Sequence, residues 1–171
     1  LANSMLTGDC RGITEIQELI QHFGAQHIFE ITGLPPNELY GLPKYMWLNQ
    51  NTDVIKKAKA ILYYEDFIGY ILTGKRMVSY SSAARSMAFD IRKKEWSEEL
   101  LAAGISLQQM SVPVAPSTVI GTVLPEIAER LGLNHELKVI AGGHDQTCAA
   151  LGSGLISSEN GEIGMGTCEF M

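Results

Sequence analysis

The aspartate at position 145 has the surroundings that general-base chemistry needs. It follows a short apolar run over residues 138–141 and two glycines, Gly142 and Gly143, and a helix is expected to begin close to it. Glycines let the backbone approach a ligand closely, and the positive end of a helix dipole favours an ionised carboxylate. Such a carboxylate can accept the proton of a substrate hydroxyl. The structural alternative is an aspartate that caps the amides of its own helix, and the spacing alone favours that cap.

Gly166 and Thr167 form a candidate phosphate contact. They follow a predicted strand over residues 162–165, and glycine amides with a hydroxyl at a strand end can bind phosphate oxygens. The pattern is not a dinucleotide fingerprint, because Glu169 stands where a third glycine would be needed, and no Gly-Lys-Ser/Thr of a P-loop occurs. The alternative, which the residues alone favour, is a tight turn between two strands.

Asp9 and Arg11 form a third candidate, a contact for a polyhydroxylated ligand. They follow an apolar stretch that is predicted to be a strand, so both would lie at its carboxyl-terminal edge, where α/β sheets bind ligands. The carboxylate accepts hydrogen bonds and the guanidinium donates them. The alternative is a local surface ion pair, which contributes little to stability.

Cysteines and histidines give no metal pattern. Cys10, Cys148 and Cys168 include no short-spaced pair, and the four histidines lack ligand spacing, so neither a disulfide framework nor a zinc site is indicated. The run from Gly143 to Asp145 superficially resembles a metal-ligand triplet of a phosphohydrolase. That class needs further clusters of histidine and aspartate. We therefore expect no metal ligands in this chain.

Composition excludes several classes of partner. The chain has 171 residues, 46% of them hydrophobic and 19% charged, which suits one globular domain with a real core. Its net charge of −6 argues against nucleic acid or an anionic membrane as the main partner, and no apolar run approaches 18 residues. We expect a cytoplasmic protein. Residues 1–4 include neither an initiator methionine nor a signal peptide, so we expect a segment of a longer protein.

The pattern of elements changes near Pro113. Before it, the sequence predicts helices: one with a capping box at Thr14 and a stop at Gly24, one that ends at Gly74, and one that begins at Ser97. After it, short strands alternate with glycine turns and helices, one of which is predicted to begin at Pro125 and end at Gly132. This alternation is typical of an α/β ligand-binding layer. The first half is interpreted as a helical insertion into that layer.

With these residues assembled, the sequence resembles the FGGY family of carbohydrate kinases. Each supporting motif is weak alone, but together they stand in the family's order. They are Asp9-x-Arg11, Thr32-Gly33-Leu34, Pro43-Lys44-x-x-Trp47-Leu48, Asp66-Phe67-x-x-Tyr70-x-Leu72-Thr73-Gly74, Ser82-x-Ala84-Arg85, Asp90-Ile91 with Trp96, Gly104-Ile105, Pro116-Ser117, Ala141-Gly142-Gly143-His144-Asp145 and Gly166-Thr167.

The resemblance implies an α/β fold, part of a ribonuclease H-like domain of the actin and hexokinase type. Residues 1–12 would supply a strand end with substrate residues, 13–116 a mainly helical insertion, and 117–171 an α/β part. It also implies the phosphorylation of a sugar or polyol by ATP with Mg²⁺, both bound largely by parts of the parent protein outside this chain. No nucleic acid or membrane partner is expected, and a homodimer stays open.

The resemblance also assigns roles to single residues. Asp145 matches the catalytic base. Asp9 and Arg11 match substrate contacts, to which Gln146 adds. Gly166 and Thr167 match the loop that approaches the nucleotide phosphates.

Several positions depart from the family pattern. Thr7 replaces the usual aromatic or polar residue before the Asp-x-Arg motif, and Ser79 stands where many relatives have aspartate. Leu39, with Tyr40 beside it, aligns with a substrate-contacting tyrosine of glycerol-type members, which makes glycerol an improbable substrate.

Two parts of the family pattern are absent from these 171 residues: the Asp-x-Gly-Thr phosphate hairpin and the glycine-rich adenosine-binding domain. We therefore expect this chain alone to be inactive. The alternatives are an inactive sugar-binding or scaffold relative and, less favoured, the metal-dependent phosphohydrolase.

Overall fold

The computed structural model describes residues 3–157, 159–161, 164–165 and 169–170. Within them the helices are α1 (Ile13–Phe23), α2 (Ala25–Thr32), α3 (Gly41–Asn51), α4 (Val54–Lys57), α5 (Tyr64–Thr73), α6 (Tyr80–Ala84), α7 (Glu98–Leu101), α8 (Pro125–Leu131) and α9 (Asp145–Gly152). A 3₁₀ turn covers Leu107–Gln109. None of these helices has the length and apolar character needed to span a membrane.

The strands pair two by two. They are β1 (Met77–Ser79), β2 (Phe89–Asp90), β3 (Glu95–Trp96), β4 (Val112–Val114), β5 (Val119–Thr122), β6 (Lys138–Ile140), β7 (Gly164–Met165) and β8 (Glu169–Phe170). β1 and β4 are parallel, whereas the pairs β2–β3, β5–β6 and β7–β8 are antiparallel. The β5–β6 pair has a register irregularity between Val119 and Gly121.

Most of the predicted helix ends are confirmed. Gly74 and Gly132 adopt left-handed conformations directly after α5 and α8, where an L side chain would be strained. Pro125 is the first residue of α8. Ser97 caps α7, because its side chain accepts a hydrogen bond from the Leu100 amide.

The capping box predicted at Thr14 is wrong. Helix α1 begins at Ile13 with Gly12 in the cap position, so Thr14 is already inside the helix. A Cβ atom at Gly12 would lie 2.8 Å from Pro43 Cβ, so only glycine allows this close approach to α3. The start of α1 therefore packs directly against α3 at Gly12. No side chain caps α1.

The strand predicted before Asp9 is also wrong. Residues 3–12 form turns and extended loop without any strand pairing, and the Asp9 amide donates to the Leu6 carbonyl at 3.1 Å. The Lys44 ammonium, on α3, donates to the carbonyls of Leu6 and Thr7 at 2.7 and 2.8 Å. In a strand, these two carbonyls would accept hydrogen bonds from the backbone of a neighbouring strand. Here the Lys44 side chain takes that place.

The main hydrophobic core lies within the helical first part of the chain. It is built by fully buried side chains from α1, α2, α3, β2 and α7, among them Leu19, Ile28, Leu42, Phe89 and Leu100. Trp96 is buried and packs edge-on against Phe89, with ring centroids 5.8 Å apart.

A buried carboxyl group connects α5 to β4. Asp66 is 1% exposed, and its Oδ2 accepts a hydrogen bond from Ser111 Oγ at 2.5 Å. The Ser111 carbonyl in turn accepts from the Trp96 indole at 2.7 Å. Asp66 Oδ1 has no hydrogen-bond partner among the described residues. Burial raises the pKa of Asp66 to about 6, although the Ser111 hydroxyl opposes the rise.

This raised pKa predicts a stability that falls with pH. The folded state binds the Asp66 proton more tightly than the unfolded chain, so ionisation costs stability as pH rises from about 4 to about 6. The pKa change from 3.8 to about 6 corresponds to about 3 kcal/mol. We expect D66N to remove this loss, so that its free energy of unfolding relative to wild type rises across the window. Urea titrations at several pH values measure it.

The matched control for this titration is D53N, which alters an exposed aspartate at the cap position of α4. It should keep the wild-type slope between pH 4 and 6. A D66N protein with the wild-type slope would contradict the pKa assignment.

Candidate active site

The turn before Asp145 is anchored at its first residue. The Ala141 amide donates to the Thr118 carbonyl at 2.8 Å, and the Ser117 amide donates to the Ala141 carbonyl at 2.8 Å. Gly142 and Gly143 follow, and α9 begins at Asp145. The predicted sequence of strand, two glycines and helix is therefore present.

The Asp145 carboxylate is open to a ligand. Its side chain is 81% exposed. The Asp145 Oδ1 atom accepts a hydrogen bond from the backbone amide of Gln146 at 2.8 Å and lies 3.2 Å from His144 Nδ1. His144 occupies the cap position of α9 and Asp145 its first helical position, but the Asp145 carboxylate still bonds the backbone amide of Gln146 in its own helix, so the capping alternative holds in part. Its location in the first turn still places it at the positive end of the helix dipole.

A second anchor holds the far end of the same turn. The His144 amide donates to Ser81 Oγ, on α6, at 2.9 Å. A Cβ atom at Gly143 would lie 3.0 Å from Ser81 Oγ and 3.2 Å from Cys148 Sγ, so the glycine permits this close approach. The backbone around the candidate base is thus held by Ser117 and Thr118, just before β5, on one side and by α6 on the other.

Asp9 and Arg11 are bonded to each other. Arg11 Nε donates to both Asp9 carboxylate oxygens at 2.9 and 3.0 Å, and Arg11 Nη2 donates to Oδ2 at 2.5 Å. The side-chain and backbone hydrogen bonds from Arg11 lower the pKa of Asp9 to about 2. The pair therefore stays charged, with the guanidinium half exposed.

Side chains of helix α3 contact this ion pair and the segment that precedes it. The Arg11 guanidinium lies 4.7 Å from the centre of the Trp47 ring, a cation–π contact. Lys44, one helical turn earlier, bonds the two carbonyls that precede Asp9. Trp47 is thus a packing platform for the arginine.

The Asp9–Arg11 pair and Asp145 are not bonded to each other in the part of the chain that the structure describes. Among the described residues, no hydrogen bond or ion pair joins Asp9 or Arg11 to Asp145. Gln146 is partly exposed and next to Asp145, and its amide bonds the Asp145 carboxylate. Gly166 and Thr167 lie outside the described residues.

No metal site is built by the part of the chain that the structure describes. No three histidine, cysteine, aspartate or glutamate side chains come together there. Cys10 and Cys148 are free thiols.

Sequence reasoning missed the roles of Lys44 and Ser81. Lys44 and Trp47 are three residues apart, which puts both on one face of a helix, and this spacing could have indicated a joint support. Ser81 is 63 residues from His144, and no local pattern predicts their contact.

The unusual serine at position 79 has a local explanation. Its hydroxyl donates to Glu65 Oε2 at 2.9 Å and its amide donates to Glu65 Oε1 at 3.2 Å. A carboxylate therefore does lie at this place, supplied from α5 by Glu65.

Lys44 offers a direct test of how the Asp9 segment is held. We expect K44M to keep the packing of the stem while losing two charge-assisted hydrogen bonds, which lowers the free energy of unfolding by about 1–3 kcal/mol. Hydrogen exchange of the amides over residues 5–11 should accelerate. K56M, an exposed lysine on α4, should change stability by less than about 0.5 kcal/mol. Unchanged exchange over residues 5–11 in K44M would show that other contacts hold the segment.

Comparisons with known proteins identify relatives that match nearly the whole chain. The sequence profile of the FGGY family of carbohydrate kinases, N-terminal domain, matches residues 1–152. A xylulose kinase of Lactococcus lactis subsp. lactis is 39% identical over 167 residues, which are 96% of this chain and 33% of that protein. A xylulose kinase of Bacillus subtilis is 32% identical over 169 residues, 98% of this chain and 34% of that protein.

The fold is similar as well. The crystal structure of ligand-bound xylulose kinase from Lactobacillus acidophilus superposes with a TM-score of 0.81 at 27% identity, covering 89% of this chain and 31% of that one. The predicted fold class, α/β within an actin/hexokinase-type domain, is confirmed. The chain spans about a third of the length of the curated relatives it matches. It belongs to the FGGY family of carbohydrate kinases.

Proposed function

We propose that the protein to which this chain contributes transfers the γ-phosphoryl group of ATP to a hydroxyl of xylulose. The observation that carries the proposal is the exposed Asp145 carboxylate at the start of α9, after a two-glycine turn in a chain of this family. The relatives named above, both xylulose kinases, support the choice of sugar.

Asp145 has the chemical properties of the base in this proposal. Its carboxylate accepts the proton of the substrate hydroxyl while that oxygen forms a bond to the γ-phosphorus of ATP. The bond from the γ-phosphorus to the oxygen of ADP breaks, and the products are a sugar phosphate and ADP. The carboxylate has room for this proton, because within the described residues only His144 and Gln146 approach it.

Asp9 and Arg11 have the opposite property and suit binding. A carboxylate with a pKa of about 2 is a poor base at neutral pH, but it accepts hydrogen bonds from sugar hydroxyls. The exposed part of the guanidinium donates to the sugar oxygens. In this proposal the Asp9–Arg11 pair binds the sugar and Gln146 adds a contact. The Asp9 carboxylate only binds, and the Asp145 carboxylate only accepts the proton.

ATP and Mg²⁺ belong to the proposal as the family's phosphoryl donor and its metal. Gly166 and Thr167 are proposed to approach the nucleotide phosphates. The remaining nucleotide contacts come from parts of the protein that the 171 residues do not include, and the reaction depends mainly on positioning. We therefore propose that the 171-residue chain alone does not turn over ATP. We also propose that this enzyme acts in the cytoplasm.

The Asp145 assignment predicts a large loss of turnover. In the full-length enzyme we expect D145N to lower kcat by about 10²–10⁴-fold, because the amide cannot accept the hydroxyl proton. Binding of the sugar, measured by calorimetry without ATP, should change little. D53N, an exposed substitution of the same type, should leave kcat unchanged. Near-normal turnover by D145N would overturn the assignment.

The sugar is tested with a panel. Full-length enzyme should phosphorylate xylulose with a higher kcat/KM than gluconate, ribulose or glycerol, measured by ADP release. A higher kcat/KM for another member would reassign the substrate within the family. Sugar binding with no ATP turnover by any member would instead support the inactive, sugar-binding relative.

A further inference from the structure

We infer that Ser81 is a positioning residue for Asp145 and that Ser79 and Glu65 orient its hydroxyl. The inference rests on the proposed function, because it concerns how the base of that reaction is placed. Its basis is a continuous series of hydrogen bonds that runs from the backbone next to Asp145 to the carboxylate of Glu65.

The hydrogens in this series have only one consistent arrangement. An ionised carboxylate can only accept, so Ser79 Oγ must give its single hydrogen to Glu65 Oε2 at 2.9 Å. In the contact of 3.3 Å between the two serine hydroxyls, Ser79 is then the acceptor and Ser81 the donor. Ser81 Oγ keeps its lone pairs for the His144 amide, 2.9 Å away.

All the hydrogen bonds from the His144 amide through Ser81 and Ser79 to Glu65 point the same way, and this strengthens them. Each hydroxyl donates toward the negative charge of Glu65 and accepts from the other side, so the bonds polarise one another. Ser79 is fully buried, and its oxygen also accepts from the Ser82 amide at 3.3 Å. Ser79 is thus held firmly, and it fixes the rotation of the Ser81 hydroxyl.

Asp145 depends on this anchor because little else restrains it. Its carboxylate contacts only its immediate neighbours among the described residues, so its location follows from the backbone. Between Ala141, bonded to Ser117 and Thr118, and His144, bonded to Ser81, the chain has two glycines. Two glycines have wide conformational freedom. Without the Ser81 bond, this segment and the start of α9 can shift.

The test compares S81A with S82A in the full-length enzyme. Ser82 adjoins Ser81, and its hydroxyl makes no hydrogen bond within the described residues, so S82A is a matched control. We expect S81A to lower kcat by about 10–100-fold with little change in the KM for the sugar, since a displacement of about 1 Å of a catalytic group has an effect of this size. S82A should match wild type in both constants.

Two further measurements separate positioning from folding. Hydrogen exchange over residues 142–148 should accelerate in S81A and not in S82A, while the melting temperatures of both stay within a few degrees of wild type. S81T keeps the accepting oxygen and should recover most of kcat. Equal losses in S81A and S81T, or a loss that follows the unfolded fraction, would overturn the inference.

D145N, assayed in parallel, separates the two proposals. If D145N is inactive and S81A is as active as S82A, the positioning role is wrong while the base assignment stands. If D145N is active, the proposed function itself fails.

Discussion

The hydrogen bond from the His144 amide to Ser81 joins the helical part of the chain to the α/β part at the candidate base. Each side contributes something the other lacks. β6 and its two glycines bring Asp145 to the surface, and α6, held through Ser79 by the Glu65 carboxylate on α5, fixes the end of that turn. The helical part of the chain therefore contributes an anchor to the turn that carries the exposed Asp145 carboxylate.

Two aspartates in this chain have opposite environments, and the difference separates their chemistry. Asp9 is bonded by Arg11 through both oxygens, so it is held ionised and gives up its basicity. Among the described residues Asp145 makes no ion pair with a lysine or an arginine, and its side chain is 81% exposed. One carboxylate is thereby suited to binding hydroxyls and the other to accepting a proton.

Local signals predicted the ends of several helices, but they predicted neither the short strands β1 to β4 nor the contacts between elements. The ends of α5 and α8 and the start of α9 follow from glycine, proline and the apolar pattern, which act within a few residues. The strand expected before Asp9 failed because the Lys44 ammonium bonds those carbonyls, and no short-range pattern encodes a partner 37 or 38 residues away. The Asp9–Arg11 pair was predictable because its residues are two apart. The role of Ser81 was not.

The adjacent glycines of the turn look equivalent in the sequence, but they are not equivalent in space. A Cβ atom at Gly142 would meet nothing within 4 Å, whereas one at Gly143 would lie 3.0 Å from Ser81 Oγ. A side chain at position 143 would require Ser81 or Cys148 to move by a few tenths of an ångström, whereas position 142 has open space for a Cβ atom. Natural variation through this loop should therefore be narrower at position 143 than at position 142, and Ser81 contributes to that difference.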